Sequence, residues 1–218
     1  MTPSPGTAFD TAADPGRREQ NKSANRDAIL RAARSVFLEL GYEAVTIRDV
    51  IRRTGLACGT FYNYFPDKET LFRTLLAQRI GAFTERLKTA RNEAATIETF
   101  VGDAYRAAFA EVAEDPEFFA LLFRNEPVIR ALFSENVMGL MLGSLRDDLK
   151  GAVDRGLLPP MDLDALTAAM FGAGFELCRL LVSQPNRCPH ATAAIATRLF
   201  LDGLKDLSQA SAPEKTSE

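Results

Sequence analysis

Two glycines cut the first well-patterned part of the chain into runs so short that only a compact helical trio can use them. Ile29, Ala33, Val36, Phe37 and Leu40 recur at helical steps, and Gly41 ends that run where the backbone must leave the helix. Thr46 is followed three residues later by Asp49, a capping pair that opens a second helix through about Arg53. Gly55 then breaks the chain, and a third helix is expected from Cys58 to Tyr64. Pro66-Asp67 stops it, with Asp67 capping a fourth helix that extends to about Arg91. Two short helices joined by a tight glycine turn, with a third beside them, form a helix-turn-helix arrangement.

Downstream the periodicity stays helical, over roughly 97–113, 116–124, 127–155, 163–183 and 190–207. Asp115-Pro116 and Asp162 read as helix starts, Gly156 and Pro185 as stops. No strand pattern and no internal repeat competes, so the expected fold is all-α. The chain divides into a disordered basic leader over 1–24, a helix-turn-helix domain over 25–72, a larger helical domain over 73–207 and a polar tail over 208–218. The opening residues lack the basic and apolar regions of a secretory signal, and no uninterrupted apolar run is long enough to suggest a membrane span. Three scattered cysteines, Cys58, Cys178 and Cys188, fit a reducing cytoplasm better than a disulfide framework.

Charge is asymmetric where it bears on partners. Residues 17–79 hold 12 Lys/Arg against 7 Asp/Glu, while the remainder holds 14 against 22. A basic N-terminal third on an acidic body suits a polyanion-binding module. Four aromatics, Phe61, Tyr62, Tyr64 and Phe65, crowd five positions of the third helix. At about 100° per residue, Tyr62, Gly59 and Asn63 share one face, while Phe61, Phe65 and Tyr64 fall on the other. Phe61 and Phe65 are therefore expected as core, and Tyr62 as exposed. Gly59 costs about 1 kcal/mol against alanine in a helix interior. Its place on the outward face is explained if the helix backbone must approach the floor of a major groove. Thr60, Tyr62 and Tyr64 offer hydroxyls to phosphates, Asn63 suits a base edge, and Lys68 could sit beside a phosphate docked on the fourth helix. The alternative is an aromatic plug in a helical core with Lys68 merely solvated.

Residues 25–72, through "FLELGYEAVTIRDV" and "GLACGTFYNYFPDKETLF", resemble the DNA-binding domain of TetR-family transcriptional regulators. The resemblance implies that Thr46 and Arg48 approach the phosphate backbone. It turns Cys58, Gly59 and Asn63 toward bases, sets Thr60, Tyr62 and Tyr64 at bases or phosphates, and places Lys68 on a phosphate. Two positions depart from the family. Ala57 stands where a Ser or Thr cap is usual, and Cys58 where a polar or basic residue is frequent.

The resemblance further implies a ligand-binding and dimerisation domain, a small-molecule effector, a double-stranded palindromic operator and, most often, repression. Candidate walls for an effector pocket are Phe100, Tyr105, Phe109, Phe119 and Phe123, together with Met138, Met141, Phe171 and Phe175. Such a lining suits a hydrophobic effector, with Glu176 and Arg179 as candidates to orient a polar group. The last two helices mix small residues with Leu, Ile and Phe, which suits a homodimer interface. The rival readings are an enzyme, or a helical interaction or ligand-binding module without sequence-specific DNA binding. His190 is the sole histidine, so no Ser-His-Asp arrangement has another imidazole to draw on, and Cys188 with His190 lacks further metal ligands. No Walker or dinucleotide glycine motif is present, and no cofactor is expected.

Overall fold

The computed structural model describes residues 15–133 and 139–210, and every regular element within them is an α-helix. In chain order these are α1 (Pro15–Leu40), α2 (Ile47–Arg52), α3 (Cys58–Phe61), α4 (Lys68–Asn92) and α5 (Ile97–Glu114). They are followed by α6 (Pro116–Arg124), α7 (Glu126–Phe133), α8 (Gly139–Asp154), α9 (Leu163–Ser183) and α10 (Pro189–Ala210).

The helix ends follow from local chemistry. Thr46 and Asp49 close a reciprocal capping box on α2. The Asp67 carboxylate accepts from Thr70 N at 2.6 Å, and Asp162 accepts from Asp164 N and Ala165 N, both at 3.0 Å. Asp115 caps α6 ahead of Pro116 at its first turn. Gly41, Gly55 and Gly156 all have φ between +72° and +79°. A side chain in that region would clash with its own backbone. Ala57 gives α3 no side-chain cap, as its chemistry dictates.

The helices differ from the expected ones in several stretches. Residues 15–24, expected to be disordered, continue α1 toward the N-terminus. A proline at its first position and the helix-forming residue types that follow favour this. The third helix is α-helical only over Cys58–Phe61. Tyr62, Asn63 and Tyr64 continue it as turns, with Asn63 N and Tyr64 N bonding Thr60 O and Phe61 O. The long helix expected over 127–155 is described as α7 and α8, on either side of residues 134–138, which lie outside the described residues. α10 also runs to Ala210, a little past the expected start of the polar tail.

The trio α1–α3 packs on Phe37, Phe61, Phe65 and Phe72, all fully or almost fully buried. The boundary expected after residue 72 falls inside α4, so one 25-residue helix belongs to both the trio and the body. α5 is central to the body, against α4, α6, α9 and α10. α6 touches α1 on one side and the body on the other.

Candidate nucleic-acid interface and internal cavity

On α3 the aromatics divide as their spacing requires. Phe61 and Phe65 are buried, while Tyr62 is 61% exposed, its ring edge-on to Phe61 at 5.4 Å. Cys58, Gly59 and Asn63 are exposed beside Tyr62, and Thr60 and Tyr64 are half-buried. Tyr64 OH accepts from Asn25 Nδ2 on α1 at 3.2 Å, which fixes the ring at the rim of the trio. A Cβ built on Gly59 meets nothing within 4 Å, so no internal packing requires glycine there.

α2 presents a basic edge. Arg48 is exposed and makes no hydrogen bond among the described residues. Arg52, one helical turn on, is exposed too. Sequence reasoning passed over Arg52, although its four-residue spacing from Arg48 puts both on one face. Arg53 is instead tied to Glu39 at 2.8 and 2.5 Å. Thr46 is less available than its hydroxyl suggested. Its N–H and O–H both donate to Asp49 Oδ2, at 3.0 and 2.6 Å, and these bonds lower the Asp49 carboxyl below its usual range.

Lys68 is not a solvated cation. Its Nζ donates to Tyr42 O at 2.8 Å, Val45 O at 3.0 Å and Glu43 O at 3.5 Å, and lies 4.4 Å from the Tyr42 ring centroid. An ammonium has three donors, and here all three fasten the turn between α1 and α2 to the start of α4. Lys68 can add positive potential to a nearby phosphate, but in this state it has no donor to spare.

The body contains an apolar cavity of about 100 Å³. Tyr105, Phe119, Phe123, Met141, Phe171 and Phe175 line it as expected positions. Phe100 and Phe109, also expected there, are fully buried and do not border it. The reason is local: α5 faces the space with Ala104, Tyr105 and Ala108, and the two alanines leave room that a phenylalanine would fill. Gly174 lies opposite, where an added Cβ would sit 3.3 Å from the Tyr105 ring. Small residues at helical spacing, more than the aromatics themselves, were the signal to follow. Met138 lies outside the described residues.

Polar groups on the wall are few. Tyr105 OH donates to Met170 O at 3.1 Å, and burial raises its phenol pKa. Burial pushes the Cys178 thiol up to about 12, so it is neutral. Among the described lining residues, Arg91 is the only charged one. At another edge, Arg179 stacks 5.2 Å over Phe123 and 5.5 Å over Phe175. It pairs with both Glu126 and Glu176, an ionic lid rather than a free hook for a ligand.

α6 joins this cavity to the trio. Phe118, Phe119, Leu122 and Phe123 face the cavity. At the helix start, Asp115 pairs with Arg34 of α1 through two bonds, one of 3.1 Å. At its end, the Asn125 Oδ1 accepts from Tyr42 N at 2.6 Å, and its Nδ2 donates to Leu121 O at 2.7 Å. Tyr42 in turn carries Lys68. A shift of α6 is thereby felt in the C-terminal part of α1, in the turn that follows it and at the start of α4.

Part of the body surface is apolar. α9 is the one helix among the described residues long and apolar enough to cross a membrane, and only 22% of that window is buried. Ala165, Ala168, Ala169 and Gly172 of α9 are exposed, next in the fold to α10 with Ile195 (53% exposed) and Leu199 (71%).

A sequence profile of bacterial regulatory proteins of the TetR family matches residues 29–75, which hold α2, α3 and the residues that flank them. The uncharacterized HTH-type transcriptional regulator YfiR of Bacillus subtilis (strain 168) is 26% identical over 161 residues, 70% of this chain and 77% of YfiR. Two solved structures share the fold. The fatty acid degradation regulator FadR from Bacillus halodurans has a TM-score of 0.71 at 24% identity, over 81% of this chain and 94% of its own. FadR from Bacillus subtilis, solved with stearoyl-CoA, has a TM-score of 0.65 at 21% identity, over 81% of this chain and 97% of its own.

Proposed function

Because this chain belongs to the TetR family of bacterial regulatory proteins, we propose that it is a ligand-responsive repressor that holds a palindromic operator as a homodimer and leaves it when a small hydrophobic effector fills the cavity. The observation that carries the DNA-binding reading is the exposed set Cys58, Gly59, Tyr62 and Asn63, set over the buried anchor of Phe61 and Phe65. A helix so placed can enter a major groove with its small residue leading, while Arg48 and Arg52 flank it for phosphates. A helical interaction module has no use for an open glycine and an exposed tyrosine at the same point.

The homodimer would form through the apolar faces of α9 and α10, whose small residues permit close helix approach across a two-fold axis. Two α3 helices would then meet half-sites about one or more turns of duplex apart. Repression follows because a dimer seated on a promoter excludes polymerase. An effector that displaces Phe119 and Phe123 would move α6, and with it the Arg34 and Tyr42 attachments, altering the spacing of the two heads. Such coupling is typically worth about 1–3 kcal/mol.

Fluorescence anisotropy with DNA from upstream of the protein's own gene, against a scrambled duplex, tests the reading. Binding should be tight and salt-sensitive, survive competitor and collapse in Tyr62→Ala. If a genome-wide fragment selection enriches no sequence, the DNA-binding function is wrong.

A further inference from the structure

Aromatic rings from three helices meet around the cavity. Phe83 comes from α4, Phe119 and Phe123 from α6, Phe171 and Phe175 from α9. Their planes differ. Phe83 meets Phe119 at 77° with centroids 5.6 Å apart, and Phe123 meets Phe175 at 87° and 5.1 Å, whereas Phe171 and Phe175 lie within 22° of parallel. A flat guest therefore finds some rings near edge-to-face and others near stacking however it lies, and both arrangements favour an aromatic pair beyond simple burial. The space is also small. Its volume of about 100 Å³ falls below the ~150 Å³ of an apolar cavity that takes up benzene. A single ring can enter only by pressing on the wall, and part of that wall, Phe119 and Phe123, is carried by α6. The two ends of α6 are tied to α1 and to the turn after it.

The charge on the wall is already matched. Arg91 Nη1 donates to Asp148 Oδ2 at 2.9 Å, and the Tyr105 hydroxyl donates to Met170 O at 3.1 Å. An anionic guest would bring an unpaired charge into a buried site, and a cationic one would meet a guanidinium. We propose that the cavity, taken as the effector site above, selects an uncharged compound built on a single aromatic ring, and that a saturated ring of the same outline is a poor substitute. Such a ring gains from the aromatics on several sides. It is also larger than the space it enters, so it displaces the wall, which is what an effector acting through α6 requires.

The test compares three ligands on the full-length wild-type protein by calorimetry: toluene, methylcyclohexane (its saturated counterpart) and benzoate (a charged one). Water expels methylcyclohexane more strongly than toluene, since it exposes more apolar surface, so a preference for toluene does not come from burial alone. Toluene should bind about fivefold or more tightly than methylcyclohexane, the size of one or two aromatic pairs, and more tightly than benzoate. Nuclear Overhauser contacts from toluene to the methyl groups of Ala104 and Ala108, which line the cavity, should locate it without recourse to a variant. Tighter binding of methylcyclohexane or benzoate, or toluene bound without contacts to either alanine, overturns the assignment. If methylcyclohexane is preferred and still releases the operator, the selection for an aromatic ring fails while the effector function stands. If toluene is preferred and seated at the alanines but operator affinity is untouched, the ring site stands and the effector function is what fails. If none of the three binds, both fall together.

Discussion

Replacing Gly59 by alanine should raise stability and lower operator affinity in the same molecule. Gly59 has ordinary helical backbone within α3, is exposed, and a Cβ there meets no atom within 4 Å. The substitution therefore adds no clash and removes the conformational entropy that glycine loses on folding, a gain of about 0.5–1 kcal/mol. For a chain of this size that corresponds to a rise in melting temperature of about 1–4 °C. The same methyl would stand between the α3 backbone and the groove floor. A cost like that of a mismatched base pair, about 1–3 kcal/mol or roughly 5- to 150-fold in Kd, is expected. Thermal denaturation and operator anisotropy on one preparation give both numbers. Gly55→Ala is the control: its surroundings are equally open, but φ is +72°, so alanine should destabilise by about 1–2 kcal/mol. If Gly59→Ala binds operator as tightly as wild type, close backbone approach is not why glycine stands there. If it melts lower, the open surface has been misjudged.

Two further perturbations address the body. Asn125→Ala removes the acceptor of the buried Tyr42 N–H, which should cost about 1–3 kcal/mol in chemical denaturation. It should also blunt effector-driven operator release; full release would mean that α6 does not transmit through its C-terminal end. Leu199→Arg alters a side chain that is 71% exposed in the single chain. It should leave the melting of the isolated chain almost unchanged while light scattering shows the mass falling to that of a monomer, and an unaltered dimer would move the interface away from α10.

The local signals in the sequence were strong, and they settled the local structure. Thr46, Asp67, Asp115 and Asp162 each mark a helix start because a short oxygen-bearing side chain reaches orphan backbone amides within its own turn. Gly41, Gly55 and Gly156 mark stops because only glycine sits comfortably at positive φ. Periodicity separated Phe61 and Phe65 from Tyr62, since burial on a helix is a matter of angle. None of this needs knowledge of a distant residue. Tertiary structure decided whatever depended on one. Lys68 looked like a phosphate contact, but residues 23–26 positions earlier supply carbonyls that engage its ammonium. Phe100 and Phe109 were indistinguishable in sequence from Tyr105 and Phe119, because a void is made by what is missing opposite a side chain. Arg91 gave no signal at all: it reads as one more surface cation near a helix end, and only the packing of α8 against α4 buries it beside Asp148.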